Sequence, residues 1–140
     1  MIQEAYVSFE VAKLLKKRGF NVPCNSWYMP YSDGTVKKFM LSEPVNYNHY
    51  DGFPWTVSRP THQMACAWLR EVHLIHIYAE YKAFFQEKPK KVYYHWMPFV
   101  KTLPHCSTYN SGFPNYLDIY CDSHEEAIEA ALKYTLENLL

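Results

Sequence analysis

Residues 75–85 constrain the fold of this chain more than any other segment, because their side chains alternate in character along the whole run. Every odd position is Ile, Ala, Tyr or Phe, and His76, Glu80 and Lys82 occupy even positions between further rings. A period of two is typical of a β-strand that buries one face. Two more apolar runs follow after turns, and consecutive strands joined in this way pair antiparallel. We therefore predict a β-meander of Leu74–Phe85, Lys91–Thr102 and Tyr116–Cys121.

Three segments with apolar residues at helical spacing surround the predicted meander. Each begins after a residue that favours the N-cap position, namely Ser8, Thr61 and Ser123. Glu126 lies three residues after Ser123, a spacing that is typical of a capping box. The side chains that we expect the second and third helices to bury against the meander are Trp68, Leu69, Ile128, Leu132 and Leu139.

The remaining secondary-structure signals lie before the central helix. The runs Asn25–Tyr31 and Thr35–Leu41 flank Asp33-Gly34, and this dipeptide is a strong signal of a β-hairpin turn. Residues 42–60 hold three prolines and several turn-forming residues, so they are predicted to be irregular. The order α-β-β-α-β-β-β-α predicts a two-layer α+β fold, with an antiparallel sheet and amphipathic helices mainly on one face. A length of 140 residues fits a single α+β domain spanning 1–140.

The net charge and the cysteine content limit the classes of protein to which this chain can belong. Fourteen basic and fourteen acidic side chains cancel, so no global field attracts phosphate backbones, and near-zero net charge favours self-association. The four cysteines lack the spacing of zinc sites, and we expect them to be free thiols in a reducing compartment. No apolar stretch is long enough to cross a bilayer. We expect a cytoplasmic protein with no cofactor, no metal and no membrane partner.

Histidines and cysteines are the candidates for catalytic or metal chemistry. His73, His76 and His95 fall near one another if two predicted strands pair, and three imidazoles can bind zinc. Their spacing matches no ligand signature, so surface histidines are the favoured interpretation. Cys121 precedes the last helix, whose N-terminus would lower the pKa of a nearby thiol. A small enzyme around Cys121 or the histidines is therefore a weaker hypothesis, and no motif in the chain identifies a catalytic residue.

Aromatic residues make up 18% of the chain, which is its most distinctive compositional feature. Tyr47, Tyr50, Phe53 and Trp55 lie in the segment 42–60, interleaved with asparagine, histidine and turn residues. This mixture supplies rigid contact area and adaptable hydrogen bonds in recognition loops. These four are the predicted binding residues, and we expect Tyr47, Tyr50 and Trp55 to be partly exposed. The alternative that stays open is a satellite core, in which the rings fold onto the sheet.

The last five predicted elements follow the order α-β-β-β-α, which resembles the double-stranded-RNA-binding domain. The ending SHEEAIEAALKYTLENL (123–139) is similar to the final helix of that family. The resemblance implies an atypical nucleic-acid-binding protein. That family places lysines at the start of this helix to hold phosphates, whereas His124-Glu125-Glu126 occur here and would repel them. Nucleic acid is therefore the less favoured partner.

A second resemblance rests on RPTHQMACAWLREVHLIHI (59–77) and YCDSHEEAIEAALKYTLENLL (120–140). These segments are similar to small uncharacterised proteins of gut anaerobic bacteria and their prophages. That family has no established activity, and the resemblance implies an accessory protein of a mobile element. The favoured hypothesis is a noncatalytic interaction module that binds another protein, or a second copy of itself, through loop aromatics. Nucleic-acid binding and a small enzyme remain the alternatives.

Overall fold

The computed structural model describes residues 3–102 and 120–140, in which three α-helices and two antiparallel sheets occur. The helices are α1 (Phe9–Lys17), α2 (His62–Val72) and α3 (His124–Asn138). The strands are β1 (Cys24–Pro30), β2 (Val36–Val45), β3 (Val57–Ser58), β4 (Ile75–Gln86) and β5 (Lys91–Thr102). A 3₁₀ turn, Tyr47–His49, lies between β2 and β3. The predicted two-layer α+β class is confirmed.

Each helix begins at its predicted N-cap, because the side chain there accepts a hydrogen bond from the backbone N–H three residues later. These bonds run from Val11 N to Ser8 Oγ (3.2 Å), from Met64 N to Thr61 Oγ1 (3.2 Å) and from Glu126 N to Ser123 Oγ (3.1 Å). The carboxylate of Glu126 also reaches back to accept from Asp122 N (3.1 Å). The predicted capping box is thus present, with its return bond displaced by one residue.

The end of α1 brings the first large core ring into place. Gly19 adopts φ +88°, the left-handed conformation that glycine takes without steric cost. Phe20 N donates to Leu15 O (3.0 Å) and Gly19 N to Lys16 O (3.1 Å), which is the Schellman pattern. Phe20 is fully buried and meets Trp68 of α2 edge-on, with ring centroids 5.3 Å apart. A local turn therefore joins α1 to the central core.

β1 is the middle strand of the first sheet, with β2 and β3 antiparallel on either side. Trp27 pairs with Phe39 of β2 and with Ser58 of β3. The predicted hairpin is confirmed, but the prediction that residues 42–60 are irregular is wrong in two places. Residues 42–45 continue β2, and β3 lies near the end of the same segment. A two-residue strand is too short to show a period of two in the sequence.

β4 and β5 form the second sheet, and their pairing runs unbroken from Ile75–Thr102 to Gln86–Lys91. The long strand predicted at residues 75–85 is confirmed. The third predicted strand, Tyr116–Cys121, lies outside the described residues except for its last two positions. There Cys121 and Trp96 form an antiparallel bridge with two N–H···O bonds of 2.9 Å. Within the described ranges the strands form two sheets rather than one.

The core lies between the helices and both sheets, and Cys24, Tyr28 and Val57 are its members from the first sheet. Helices α2 and α3 pack on β4, α3 also packs on β5, and α1 contacts α3 and β3. Of the side chains predicted to be buried there, four are buried and the last is partly buried: Trp68, Leu69, Ile128, Leu132 and Leu139. In residues 3–102 and 120–140, no helix combines the length and the apolar character needed to cross a bilayer.

Candidate functional site

A chain of aromatic rings crosses one face of β1 and continues into the segment between β2 and β3. Its members, in order of contact, are Phe39, Trp27, Tyr47, Tyr50, Phe53 and Trp55, and we call them the ring array. Trp27 is stacked between Phe39 and Tyr47, with ring centroids 5.4 and 4.3 Å away. The later neighbours are separated by 5.8, 5.7 and 5.8 Å. The structure thus brings all four predicted binding residues into one cluster.

Exposure within the ring array is lowest at Tyr47 and rises toward Trp55. Tyr47 is 3% exposed, whereas Tyr50, Phe53 and Trp55 are 44%, 44% and 50% exposed. The expectation that Tyr47 is partly exposed is wrong, because Trp27 of β1 stacks on its ring. For Tyr50 and Trp55 the same expectation is confirmed. The segment therefore contains both a small satellite core and a ring surface.

Asn48 holds this segment against the body of the protein. Its side chain is buried; Nδ2 donates to Phe20 O (2.9 Å), and Oδ1 accepts from Ser58 N (2.9 Å). The backbone N–H of Asn48 in turn donates to Asn46 Oδ1 (3.2 Å). Because both ends of a buried amide are bonded to backbone, the segment has a defined position before any partner arrives.

The other side of the segment is tied to α1 and β1. Lys16 Nζ donates to the carbonyl oxygens of Pro54 (2.6 Å) and Thr56 (2.9 Å). Trp55 Nε1 donates to Met29 Sδ at 3.1 Å. These bonds hold the half-exposed rings against the β1–β2 hairpin, and such preorganisation lowers the entropy cost of binding.

A cavity of about 220 Å³ lies between the ring array and the β1–β2 hairpin. Its lining is Trp27, Met29, Leu41, Tyr47, Tyr50, Phe53 and Thr56. Between residues 42 and 58 the chain has no lysine or arginine, and its acidic residues are Glu43 and Asp51. The site can therefore receive an apolar side chain, and this segment offers no lysine or arginine to a phosphate.

A second aromatic surface, which the sequence did not suggest as a site, lies on the β4–β5 ribbon. One face of the ribbon carries only uncharged pairs: Tyr81–Trp96, Ala83–Tyr94 and Phe85–Val92. Tyr81 and Tyr94 stack with ring centroids 5.6 Å apart, and each is 58% exposed. The period-two pattern correctly indicated one apolar face. It could not show that this face extends past the helices that cover its first residues.

The histidines considered for a metal site lie in separate environments. Each contacts a different aromatic ring: His73 meets Trp68 (4.7 Å), His76 meets Tyr78 (5.4 Å) and His95 meets Tyr120 (5.4 Å). Among the described residues, no three His, Cys, Asp or Glu side chains lie close enough together to hold a metal ion. The structure does not bring the three candidate ligands to one point.

The surroundings of Cys121 raise the pKa of its thiol, so the predicted lowering by the start of α3 is wrong. Burial is the largest cause, and the charges of Glu126 and Asp122 add to it. Both carboxylates lie at the N-terminal end of α3, where their negative charge opposes the effect of the helix dipole on the thiol. A protonated, buried thiol is a poor nucleophile at neutral pH.

A cavity of about 390 Å³, lined in part by His62 and Cys66, is a feature that the sequence did not single out. His62 Nε2 lies 3.0 Å from Glu129 Oε1, and Cys66 is one helical turn further along α2. His62 and Cys66 are four residues apart, and this spacing puts both side chains on one face of a helix. It was the signal in the sequence that could have indicated this cavity. Burial raises the pKa of Cys66 to about 11, so its thiol is also protonated at neutral pH.

Comparisons with known proteins were negative at all three levels. No protein-family model, no curated protein and no solved structure matches the chain. The geometry and charge of the sites are therefore the observations that bear on function.

Proposed function

We propose that this protein is a noncatalytic interaction module that binds a protein partner through the exposed end of the ring array. The observation that carries the proposal is the cluster of half-exposed rings, Tyr50, Phe53 and Trp55, beside an apolar cavity of about 220 Å³. Contiguous exposed apolar surface commonly marks an interaction site. Tyrosine and tryptophan are enriched at protein interfaces, where they act as anchors in pockets.

The charges around the ring array support a protein partner over a nucleic acid. Binding to a phosphate backbone relies on lysine and arginine contacts. The segment that carries the rings has two acidic residues, Glu43 and Asp51, and no such cation. The ammonium of Lys16, which contacts this segment, already donates to two carbonyl oxygens. Exposed rings in a segment with two acidic residues and no lysine or arginine suit an apolar or basic segment of a protein.

The thiol environments support a noncatalytic role over an enzyme. Burial raises the pKa of Cys24 and of Cys66 to about 11, and the pKa of Cys121 is also raised. A catalytic cysteine requires the opposite shift, because the thiolate is the nucleophile.

The biological setting that we propose is an accessory role in a bacterial mobile element, in the cytoplasm. Support comes from the resemblance of segments 59–77 and 120–140 to proteins of gut anaerobic bacteria and their prophages. A gene located among phage or plasmid genes is the expected finding, and a conserved chromosomal location outside such elements would contradict this setting.

Site-specific photocrosslinking in the natural host cell tests the proposal. A benzophenone amino acid replaces Phe53 in one variant and Tyr94 in a matched control, since both rings are well exposed, the first between β2 and β3 and the second on β5. We expect the Phe53 position to crosslink one discrete protein that the Tyr94 position does not capture. Crosslinks to nucleic acid at Phe53, or the same products from both positions, would contradict the proposal.

A further inference from the structure

β2 is an edge strand, and among the described residues no strand pairs with its outer side. Nine of its ten residues are exposed. At its centre Phe39, Met40 and Leu41 are 38%, 59% and 55% exposed. A long exposed edge with an apolar centre is a template for pairing with another strand. We infer that β2 pairs antiparallel with β2 of a second copy of this chain, forming a two-fold symmetric dimer centred on Met40.

The β1–β2 ladder determines which backbone groups of β2 face the free edge. Tyr31 N donates to Thr35 O (2.8 Å), so Thr35 turns its backbone groups toward β1. Because the direction alternates along an antiparallel strand, Lys37 and Phe39 also face β1, and Lys38 and Met40 face outward. A two-fold axis at Met40 lets the two copies of this residue exchange both N–H···O bonds. A register shifted by one residue would place backbone groups that face the free edge opposite groups of the second copy that face its own β1. The intermolecular hydrogen bonds could then not form.

Charge complementarity selects this register among those that the backbone allows. With Met40 at the axis, Lys37 of one copy lies opposite Glu43 of the other, and the symmetry makes this pair twice. Phe39 lies opposite Leu41 on the same face. Opposite charges directly across a strand pair stabilise it, and like charges destabilise it. Within the described part of the chain, Glu43 forms no salt bridge, so its carboxylate is available to the second copy.

The irregular end of β2 leaves more backbone free for the second copy. Residues 41–44 lie opposite a single residue of β1, Asn25, between the pairs Ser26–Met40 and Cys24–Val45. These four residues are exposed, and most of their N–H and C=O groups therefore have no ladder partner on β1. Pro44 has no N–H, so the intermolecular ladder would end there.

The proposed dimer is closed and goes beyond the proposed function. Pairing of the two β2 edges makes one six-stranded sheet whose outer strands are the two-residue β3 strands. Such short edges give little template for a third copy. Trp27 and Phe39 share a face with Lys37, so the two ring arrays would lie on the same surface of the dimer.

Sedimentation of the purified full chain tests the dimer without any partner protein. Lys37→Glu and Glu43→Lys each place like charges across the two-fold axis twice, and each should weaken dimerisation about tenfold or more. The double variant restores opposite charges and should return the dissociation constant close to that of the wild type. Lys38→Glu is the matched control, because Lys38 lies opposite Ser42 and its change should have a small effect.

A concentration-dependent dimer with this charge-swap rescue would support the inference. A wild-type chain that sediments as a monomer at all concentrations would overturn it, and so would a dimer insensitive to the single charge changes. Circular dichroism and melting curves establish that each variant is folded. Met40→Arg provides a second route, since it places two cations at the axis and should abolish the dimer; a persisting dimer would overturn the inference.

Discussion

Glu129 Oε1 lies 3.0 Å from His62 Nε2, which joins the middle of α3 to the first residue of α2. The same oxygen accepts a hydrogen bond from the backbone N–H of Ser8 (2.8 Å), the N-cap of α1. Burial alone would raise the pKa of Glu129, but the bonds from His62 and Ser8 outweigh it and lower the pKa from its ordinary value of 4.5. One ionised carboxylate therefore connects α1, α2 and α3.

Glu129→Gln should destabilise the fold at neutral pH by about 1–2 kcal/mol, because it removes the charge from two hydrogen bonds. A carboxyl group whose pKa is lowered by folding stabilises the protein above its unfolded pKa, and this stabilisation is lost as the pH falls through the folded pKa. The difference between wild type and variant should therefore shrink as the pH falls below 4.5. Urea unfolding at neutral and acidic pH measures it.

The matched control for this experiment is Glu137→Gln, on an exposed position of α3. Its effect should be within about 0.5 kcal/mol, as for most surface substitutions. An equal loss of stability in the two variants, or a loss at Glu129 that is the same at every pH, would contradict the role given to this carboxylate.

Leu74 connects α2 to β4 in the left-handed conformation, with φ +56°. This conformation costs a side chain about 1–2 kcal/mol, and glycine adopts it freely. We expect Leu74→Gly to be more stable than Leu74→Ala by about 1 kcal/mol, since both lose the contacts that the leucine makes beyond Cβ. At Val72, the last residue of α2, the backbone is helical and the order of the Gly and Ala variants should be reversed. Thermal unfolding of the four variants checks this, and an Ala variant that is the more stable at both positions would refute it.

Tyr47 is buried, and no described residue accepts a hydrogen bond from its hydroxyl group. Tyr47→Phe should therefore leave stability unchanged or raise it by up to about 1 kcal/mol, because the buried hydroxyl is removed. Tyr47→Ala should cost about 3 kcal/mol or more, because it leaves a cavity beneath Trp27. Chemical denaturation of the pair measures both effects. A Phe variant as unstable as the Ala variant would show that the hydroxyl has a partner essential to the fold.

The elements that the sequence predicted well are those whose signals are local. The three helices are capped by bonds to residues only three positions away, at Ser8, Thr61 and Ser123. Gly19 ends α1 and lies two residues after the last residue of that helix. The long run of alternating side chains that predicts β4 is likewise contained in one segment. Such signals depend only on neighbouring residues, so no knowledge of the tertiary fold is needed to recognise them.

The errors arose where distant contacts decide the structure. The burial of Tyr47 depends on Trp27. The position of the segment between β2 and β3 depends on bonds of Asn48 with Phe20 and Ser58. No pattern within residues 42–60 reveals these partners. Composition did identify the ring segment as unusual, and it correctly indicated exposed rings, but the sequence could not separate its buried ring from its exposed ones.

The interaction surface is tested most directly by measuring the affinity of the protein crosslinked at Phe53 for a double variant, Tyr50→Ala with Trp55→Ala. Because both rings are about half exposed, the variant should remain folded, with a melting temperature close to that of the wild type. We expect its affinity for the partner to fall at least about 30-fold, as for interface anchors. The control Tyr81→Ala with Tyr94→Ala should bind like the wild type. Full affinity in the folded Tyr50/Trp55 variant would contradict a binding role for the ring array.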